Sequence, residues 1–244
     1  MSEYRLGRFT SSQIHVLIKE VKGGFSAPAL TYIEEKNLEY RLGRSLSTSV
    51  YSKPIYWGYA MEKIVFELMP SEYELVAGTN EEHKQYPLFW AGCSDMVIED
   101  YLISEIKSYG LKKFAQYTDM LMKQNIDLFR SEFPQEYWQI VSNSILYNVK
   151  YGEAISFMPY KSQIDEIRHK IEHTDFMDAY GFEPWQLRFI LEDNLYQLNW
   201  IPDNGYYKNV TVFRFEVPEE DKKLLTSKVE LAMRHLDKYK KLPI

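Results

Sequence analysis

The chain has 244 residues, of which 45% are hydrophobic and 16% aromatic, with one cysteine and a formal net charge of −6. This is the composition of an ordered globular protein, long enough for one large domain, and a single cysteine excludes a disulfide framework, a cysteine zinc site and an iron–sulfur cluster. The acidic balance argues against a general cationic nucleic-acid binder, and no apolar run reaches the roughly 18 residues that span a bilayer.

MSEYRLGRFTSSQ has no apolar signal core, so the expectation is a soluble, intracellular chain. FTSSQIHVLIKEV sets Thr and Ser ahead of Ile14, Leu17 and Ile18, which predicts a helix N-terminus. GGFSAPA reads as a loop, LTYIEEKNLEYRLGR as a second helix and STSVYSKPIYW as a linker. GYAMEKIVFELMPSE is a third helix, stopped by Pro70. EYELVAGT reads as a strand and NEEHKQYP as a loop. LFWAGCSDMVI and YLISEIKS are strands joined by a turn at Glu99-Asp100-Tyr101.

YGLKKFAQYTDMLMKQ and FPQEYWQIVSNSILYNV are helical, the second opening on Pro134. GEAISFMPY is a strand. Two or three helices follow, then the strand NVTVFRFEV and a last helix after Pro218. Strands and helices intermix around a hairpin, which predicts an α/β fold with a mixed central β-sheet flanked by helices, as one domain over 1–244.

The hairpin is the unusual stretch. Around the predicted turn, partner numbers sum to 200, so Val97 faces Ile103, Asp95 faces Glu105 and Cys93 faces Lys107, all on one side of the strands. Like charges directly opposite one another are destabilising, and buried carboxylates require compensation. A hard divalent cation supplies it, since Mg²⁺ takes one or two carboxylates together with water. The plain alternative is a hairpin whose polar side faces solvent. Glu62 lies within the apolar stripe Tyr59, Val65, Phe66 and Met69, whereas Glu67 neighbours Lys63 and Ile64 in an ordinary amphipathic position. Glu62 either has a partner below it or reaches water from the stripe's edge. His169 and His173 stand four apart without an HExxH motif and read as solvated.

A helix Glu, an Asp, nine residues and Glu-x-Lys together resemble the core of the PD-(D/E)XK nuclease superfamily: Glu62, Asp95 and Glu105-Ile106-Lys107, with Ser94 where the name has Pro. RLGRFTSSQIHVL (5–17) is similar to the Arg-x-Gly-x-x-Thr-x-Ser start of lambda-type, YqaJ-like phage exonucleases. YWQIVSNSILYNV (137–149) is similar to their helix carrying a Gln near the catalytic Lys. The resemblance covers about residues 5–160, a restriction-endonuclease-like core. Residues from about 161 to 244 form a helical and strand-helix extension, in which no site is expected.

The resemblance implies Mg²⁺ or Mn²⁺ held by Glu62, Asp95, Glu105 and the carbonyl of Ile106. It makes Lys107 the group that orients the attacking water, steadied by Gln139, and places Arg5 and Ser12 around a substrate 5′-phosphate. Thr10-Ser11-Ser12 are equally well read as plain helix capping. Arg8, Lys112 and Lys113 are candidate cations for the DNA backbone. Tyr-Trp at 137–138 and Trp185-Gln186 read as core in preference to base-stacking surface.

The implied activity is metal-dependent exonucleolytic hydrolysis of duplex DNA ends, 5′ to 3′, in phage-type recombination in the cytoplasm of a bacterial host. A single-strand annealing protein and a ring-shaped homo-oligomer are the implied partners. A restriction-like or junction-cutting endonuclease is the alternative within the superfamily, and an inactive nuclease-fold binding module is the alternative outside catalysis.

Overall fold

The computed structural model describes residues 6–22, 24–46, 52–191 and 199–240. The segment expected to open a helix instead forms the two-residue strand β1 (Phe9–Thr10) and one 3-10 turn over Ile14–Leu17. Hydroxyl bonding explains the difference. Ser11 Oγ meets Ser142 Oγ at 2.8 Å, and the Thr10 N–H donates to the Tyr32 hydroxyl at 2.8 Å, so the segment is tied sideways to its neighbours. β2 (Glu20–Val21) and β3 (Gly24–Phe25) pair as a small hairpin where a loop was expected.

Helix α1 (Ala27–Leu42) ends on Gly43 at φ 64°, the left-handed C-cap that glycine adopts without steric cost. Helix α2 (Lys53–Leu68) begins earlier than expected: Ser52 is its N-cap and Pro54 lies in its first turn, so KPIYW is helix and not linker. Residues 47–51 of that expected linker lie outside the described residues.

Next come β4 (Glu74–Leu75), β5 (Glu81–Glu82), β6 (Trp90–Gly92), β7 (Met96–Ile98) and β8 (Leu102–Lys107). Two expectations are corrected here. NEEHKQYP contains β5, which pairs antiparallel with β6, and LFWAGCSDMVI is two strands in two different sheets. The break falls at Cys93-Ser94-Asp95. Ser94 Oγ donates to the carbonyls of Ser104 and Met96 at 2.8 and 3.1 Å, local bonds that compete with a continuous ladder.

The β7–β8 hairpin has the predicted register. Val97 pairs with Ile103 and Ile98 with Leu102, around a turn in which Asp100 has φ 53° and the Tyr101 N–H donates to the Ile98 carbonyl. Such a three-residue connection with one left-handed residue matches the twist of the strands.

Helices α3 (Leu111–Met122), α4 (Ile126–Glu132) and α5 (Pro134–Leu146) carry the chain over to β9 (Tyr151–Phe157), parallel to β8. After β9 come α6 (Ile164–Glu172), α7 (Thr174–Tyr180) and α8 (Pro184–Leu191). Strand β10 (Val210–Glu216) returns antiparallel to β9, and the helix Glu219–Met233 follows Pro218. The central sheet runs β10-β9-β8-β7-β4 and is mixed, as expected.

Alternation along β8 and β9 divides the core. Ile103 and Ala154 pack with Ile140 and Val141 of α5, whereas Leu102, Ile106, Ile155 and Phe157 pack with Met61 and Val65 of α2. Buried Glu153 interrupts the second side and is fully answered: Tyr73, Ser104 and Arg214 all donate to its carboxylate. Glu105, on the first side, is in a different situation. No helix among the described residues is long and apolar enough to cross a membrane.

Candidate active site

Beyond Met96 and Ser104 the hairpin ladder ends with the Asp95 N–H donating to the Ser104 carbonyl at 3.2 Å, and a side chain then takes the place of a backbone partner. The Ile106 N–H donates to Asp95 Oδ2 at 2.7 Å, so a carboxylate stands where a strand carbonyl would be. The expected facing of Cys93 and Lys107 is corrected for the same reason: the strand has turned away, and the Cys93 carbonyl accepts from Asn143 Nδ2 at 2.9 Å. Glu105 is only 1% exposed. Gln139 Nε2 donates to its Oε2 at 2.7 Å, Asn143 donates to its Oε1, and Lys107 Nζ lies 3.4 Å from Oε2 and 3.3 Å from Gln139 Oε1. Gln139 and Asn143 are one helical turn apart, so both project from the same side of α5 onto the strand.

Helix α2 closes the arrangement. Glu62 lines the same cleft as Asp95, Glu105, Lys107 and Gln139, a cavity of about 400 Å³ also lined by Thr10, Ser11 and Ser12. Glu67 lies elsewhere, bonded to Lys170 and Tyr180, which separates the two helix carboxylates. Arg5 lies outside the described residues. Among the candidate backbone cations, Arg8 is paired with Glu82, and Lys113 with Glu136 at 2.9 Å, while Lys112 is exposed. His169 and His173 are exposed. Tyr137 and Trp138 are core, as read from the sequence, but Trp185 is half-exposed, edge-on to Tyr56.

Burial dominates the electrostatics. It pushes the Glu105 carboxyl up to about 8, with the charge of Asp95 adding to the shift and Lys107 and Asn143 opposing it. Burial raises Asp95, against the pull of Lys107 and of the Ile106 N–H. Burial and then Asp95 raise Glu62. For Lys107 burial acts downward, yet Glu105, Asp95 and Glu62 together outweigh it and hold the ammonium above its ordinary value. Of the three carboxyls only Glu105 has a lysine in contact, while Lys63 and Lys107 act on Glu62 and Asp95 from farther off.

Several residues of this cleft escaped the sequence reading. Asn143 had a signal, since it follows Gln139 by four in a helix already suspected of facing the strand. Lys63, named from the sequence only as a neighbour of Glu67, is 8% exposed and lines the cleft. Tyr180, Gly181, Phe182 and Gln186 reach the cleft from the part of the chain in which no site was expected. Gly92 matters by its size. A Cβ there would press on the Ser11 hydroxyl and lie 2.5 Å from Asn143 Oδ1 and 2.8 Å from Leu146 Cδ1. Gly92→Ala is expected to cost about 1–3 kcal/mol by overpacking and to loosen Asn143 from Glu105. A denaturant midpoint unchanged from that of the native protein would disprove this crowding.

No family profile matches the chain, and no curated protein matches it in sequence. Solved structures do match in shape. An alkaline exonuclease, LHK-Exo, from Laribacter hongkongensis superposes with a TM-score of 0.60 at 11% identity, over 98% of this chain and 92% of its own. A phage-related exonuclease from Haemophilus somnus 129PT gives 0.57 at 15% identity, over 95% and 94%. The chain has the fold of the phage-related exonucleases. The resemblance read from three short segments thus holds for the architecture across almost the whole chain.

Within this exonuclease fold, the acidic cleft can be tested against a hard cation. Glu62 makes no hydrogen bond among the described residues, and the one bond to the Asp95 carboxylate is to Oδ2. Oxygen acceptors with raised proton affinity and too little positive charge are the donor set such an ion requires. No three His, Cys, Asp or Glu side chains among the described residues form a metal shell by themselves. What fits a hard ion is the chemistry of the Asp95 and Glu105 carboxyls, since such an ion takes one or two carboxylates and completes its shell with water.

Proposed function

We propose that this cleft hydrolyses phosphodiester bonds of DNA with a divalent cation, Mg²⁺ or Mn²⁺, and does so as an exonuclease at the ends of linear duplexes. The observation that carries the reading is the convergence of Glu62, Asp95, Glu105 and Lys107 in one cleft, with all three carboxyls raised. Asp95, Glu105 and the carbonyl of Ile106 hold the ion, with Glu62 completing the acidic wall. Bound there, the ion supplies charge neutralisation at the phosphorane-like transition state and lowers the pKa of a water.

The chain's own residues supply the positioning. Lys107 Nζ holds the attacking water, and its place is set by Gln139 Oε1 on one side and Glu105 Oε2 on the other. Gln139 and Asn143 keep both Glu105 oxygens in fixed positions, so the carboxylate does not rotate away from its ligand. Ser12, which lines the cleft, and Arg5 receive the 5′-phosphate of the strand being degraded, which makes attack proceed from the 5′ end. LHK-Exo has been solved in complex with dAMP. A 5′-mononucleotide of that kind is the product expected here.

End-labelled linear duplex tests the proposal. With Mg²⁺, the 5′-phosphorylated strand is expected to disappear from its 5′ end faster than a 5′-hydroxyl strand, and Arg5→Ala is expected to erase that preference. Loss from 3′ ends, or cutting of closed circles, would replace the exonuclease reading with an endonuclease or opposite-polarity one.

A further inference from the structure

One cation of the cleft is left unused by that mechanism. Lys63 is buried to 8% exposure, yet among the described residues its ammonium has no hydrogen-bond or ion-pair partner. It follows Glu62 on α2, and because successive helical side chains diverge by about 100° it points away from Glu62 around the helix. Its ammonium stands over the ring of Tyr180, with Nζ 5.9 Å from the centroid. Tyr180 belongs to the same cleft, as do Tyr59, Phe182 and Gln186.

The αL residue Gly181, at φ 65°, ends α7 and lets the Phe182 N–H return to the Met177 carbonyl, and the rings of Tyr180 and Phe182, both packed on Phe176, line the cleft. Tyr59, half-exposed and one turn before Lys63 on α2, lines the same cleft. A lysine serving only to balance Glu62 and Asp95 would close to contact with one of them, since attraction rises steeply as separation falls. Lys107 does so with Glu105. Lys63 does not.

We infer that Lys63 is a second phosphate-binding subsite, across the cleft from Lys107, taking a phosphodiester oxygen of a nucleotide whose base rests against the aromatic rim of Tyr59, Tyr180 and Phe182. An ammonium that opens on the cleft without a hydrogen-bond partner among the described residues is suited to a phosphate, and aromatic faces are suited to any base. The inference rests on the nuclease reading for its ligand, but its test needs no hydrolysis.

The test is fluorescence anisotropy of a labelled single-stranded oligonucleotide in Ca²⁺, titrated with KCl, on wild-type protein, Lys63→Met and Lys63→Arg. Lys63→Met is expected to weaken binding about tenfold and to flatten the slope of log affinity against log salt by about 0.7, the value for one phosphate contact on a single strand. Lys63→Arg is expected to keep the slope. Should Lys63→Met not fold, Lys63→Gln serves the same reading. An unchanged slope in the neutral variants, or no binding by the wild type, overturns the subsite. If the wild type binds with the expected slope change but cleaves nothing in Mg²⁺, the subsite stands and the nuclease reading fails. If it cleaves and the slope is unmoved, the reverse holds.

Discussion

Lys107→Ala is expected to slow hydrolysis of linear duplex DNA by about 10³-fold while the protein remains folded. The size follows from the role. A positioned group that holds and helps deprotonate a reacting water contributes about 10²–10⁴-fold, and the site has no second ammonium in contact with Glu105 to take over. Folding survives because Glu105, raised to about 8 even beside Lys107, holds a proton at neutral pH and holds it more firmly without that ammonium, so it leaves no unpaired buried charge.

Lys107→Arg is not expected to restore the rate. A guanidinium is planar and broad, and it cannot occupy the small space between Gln139 Oε1 and Glu105 Oε2 as an ammonium does. The check is single-turnover loss of a 5′-labelled strand alongside a thermal melt. A rate within tenfold of wild type would remove Lys107 from the chemistry and leave the cleft as a binding site.

The second large effect is on stability, and its sign follows from the raised carboxyls. Glu105 binds a proton up to about pH 8 in the folded chain and only up to its ordinary value of 4.5 when unfolded. Between those values the folded state holds the extra proton, so stability falls as pH rises, and it levels off above about 8. One such group sets a limit of about 1.4 kcal/mol per pH unit on that slope. Asp95 and Glu62 are shifted in the same direction and act alike.

Metal-free protein is thus expected to melt at progressively lower temperature from pH 5 to 8. Glu105→Gln should remove the Glu105 share of that slope. Added Mg²⁺ should raise the melting temperature more at pH 8 than at pH 6, because the ligand proton must leave before the ion binds. Glu105→Gln should also abolish this gain together with hydrolysis. Calorimetry across pH with EDTA or Mg²⁺ measures all of it. A metal-free melting temperature that rises toward pH 8 would show that these carboxyls are not raised.

The segments that carried the resemblance were local. Glu-x-Lys on one side of a strand, Asp95 across a three-residue turn, and Glu62 inside an apolar stripe are all set by periods of 2 and 3.6 residues, and the paired register followed from counting alone. The same local rules failed where side chains bond sideways. The hydroxyls of Thr10-Ser11-Ser12 resemble a cap in sequence, but Tyr32 and Ser142, distant along the chain, take up the Thr10 N–H and the Ser11 hydroxyl. LFWAGCSDMVI has the alternation of one strand, and only the serine bonds to Ser104 and Met96 divide it.

Sequence by itself determined the α/β class, the hairpin and the acidic residues of the cleft, because these depend on neighbours within a turn or a hairpin. Tertiary structure alone decided the rest. The approach of α5 to β8 made Asn143 a partner of Glu105, and the packing of α8 on α2 brought Tyr180 to Gln186 beside Lys63. Contacts between elements far apart in the chain depend on how whole helices cross the sheet, and no short-range period in the sequence encodes that crossing.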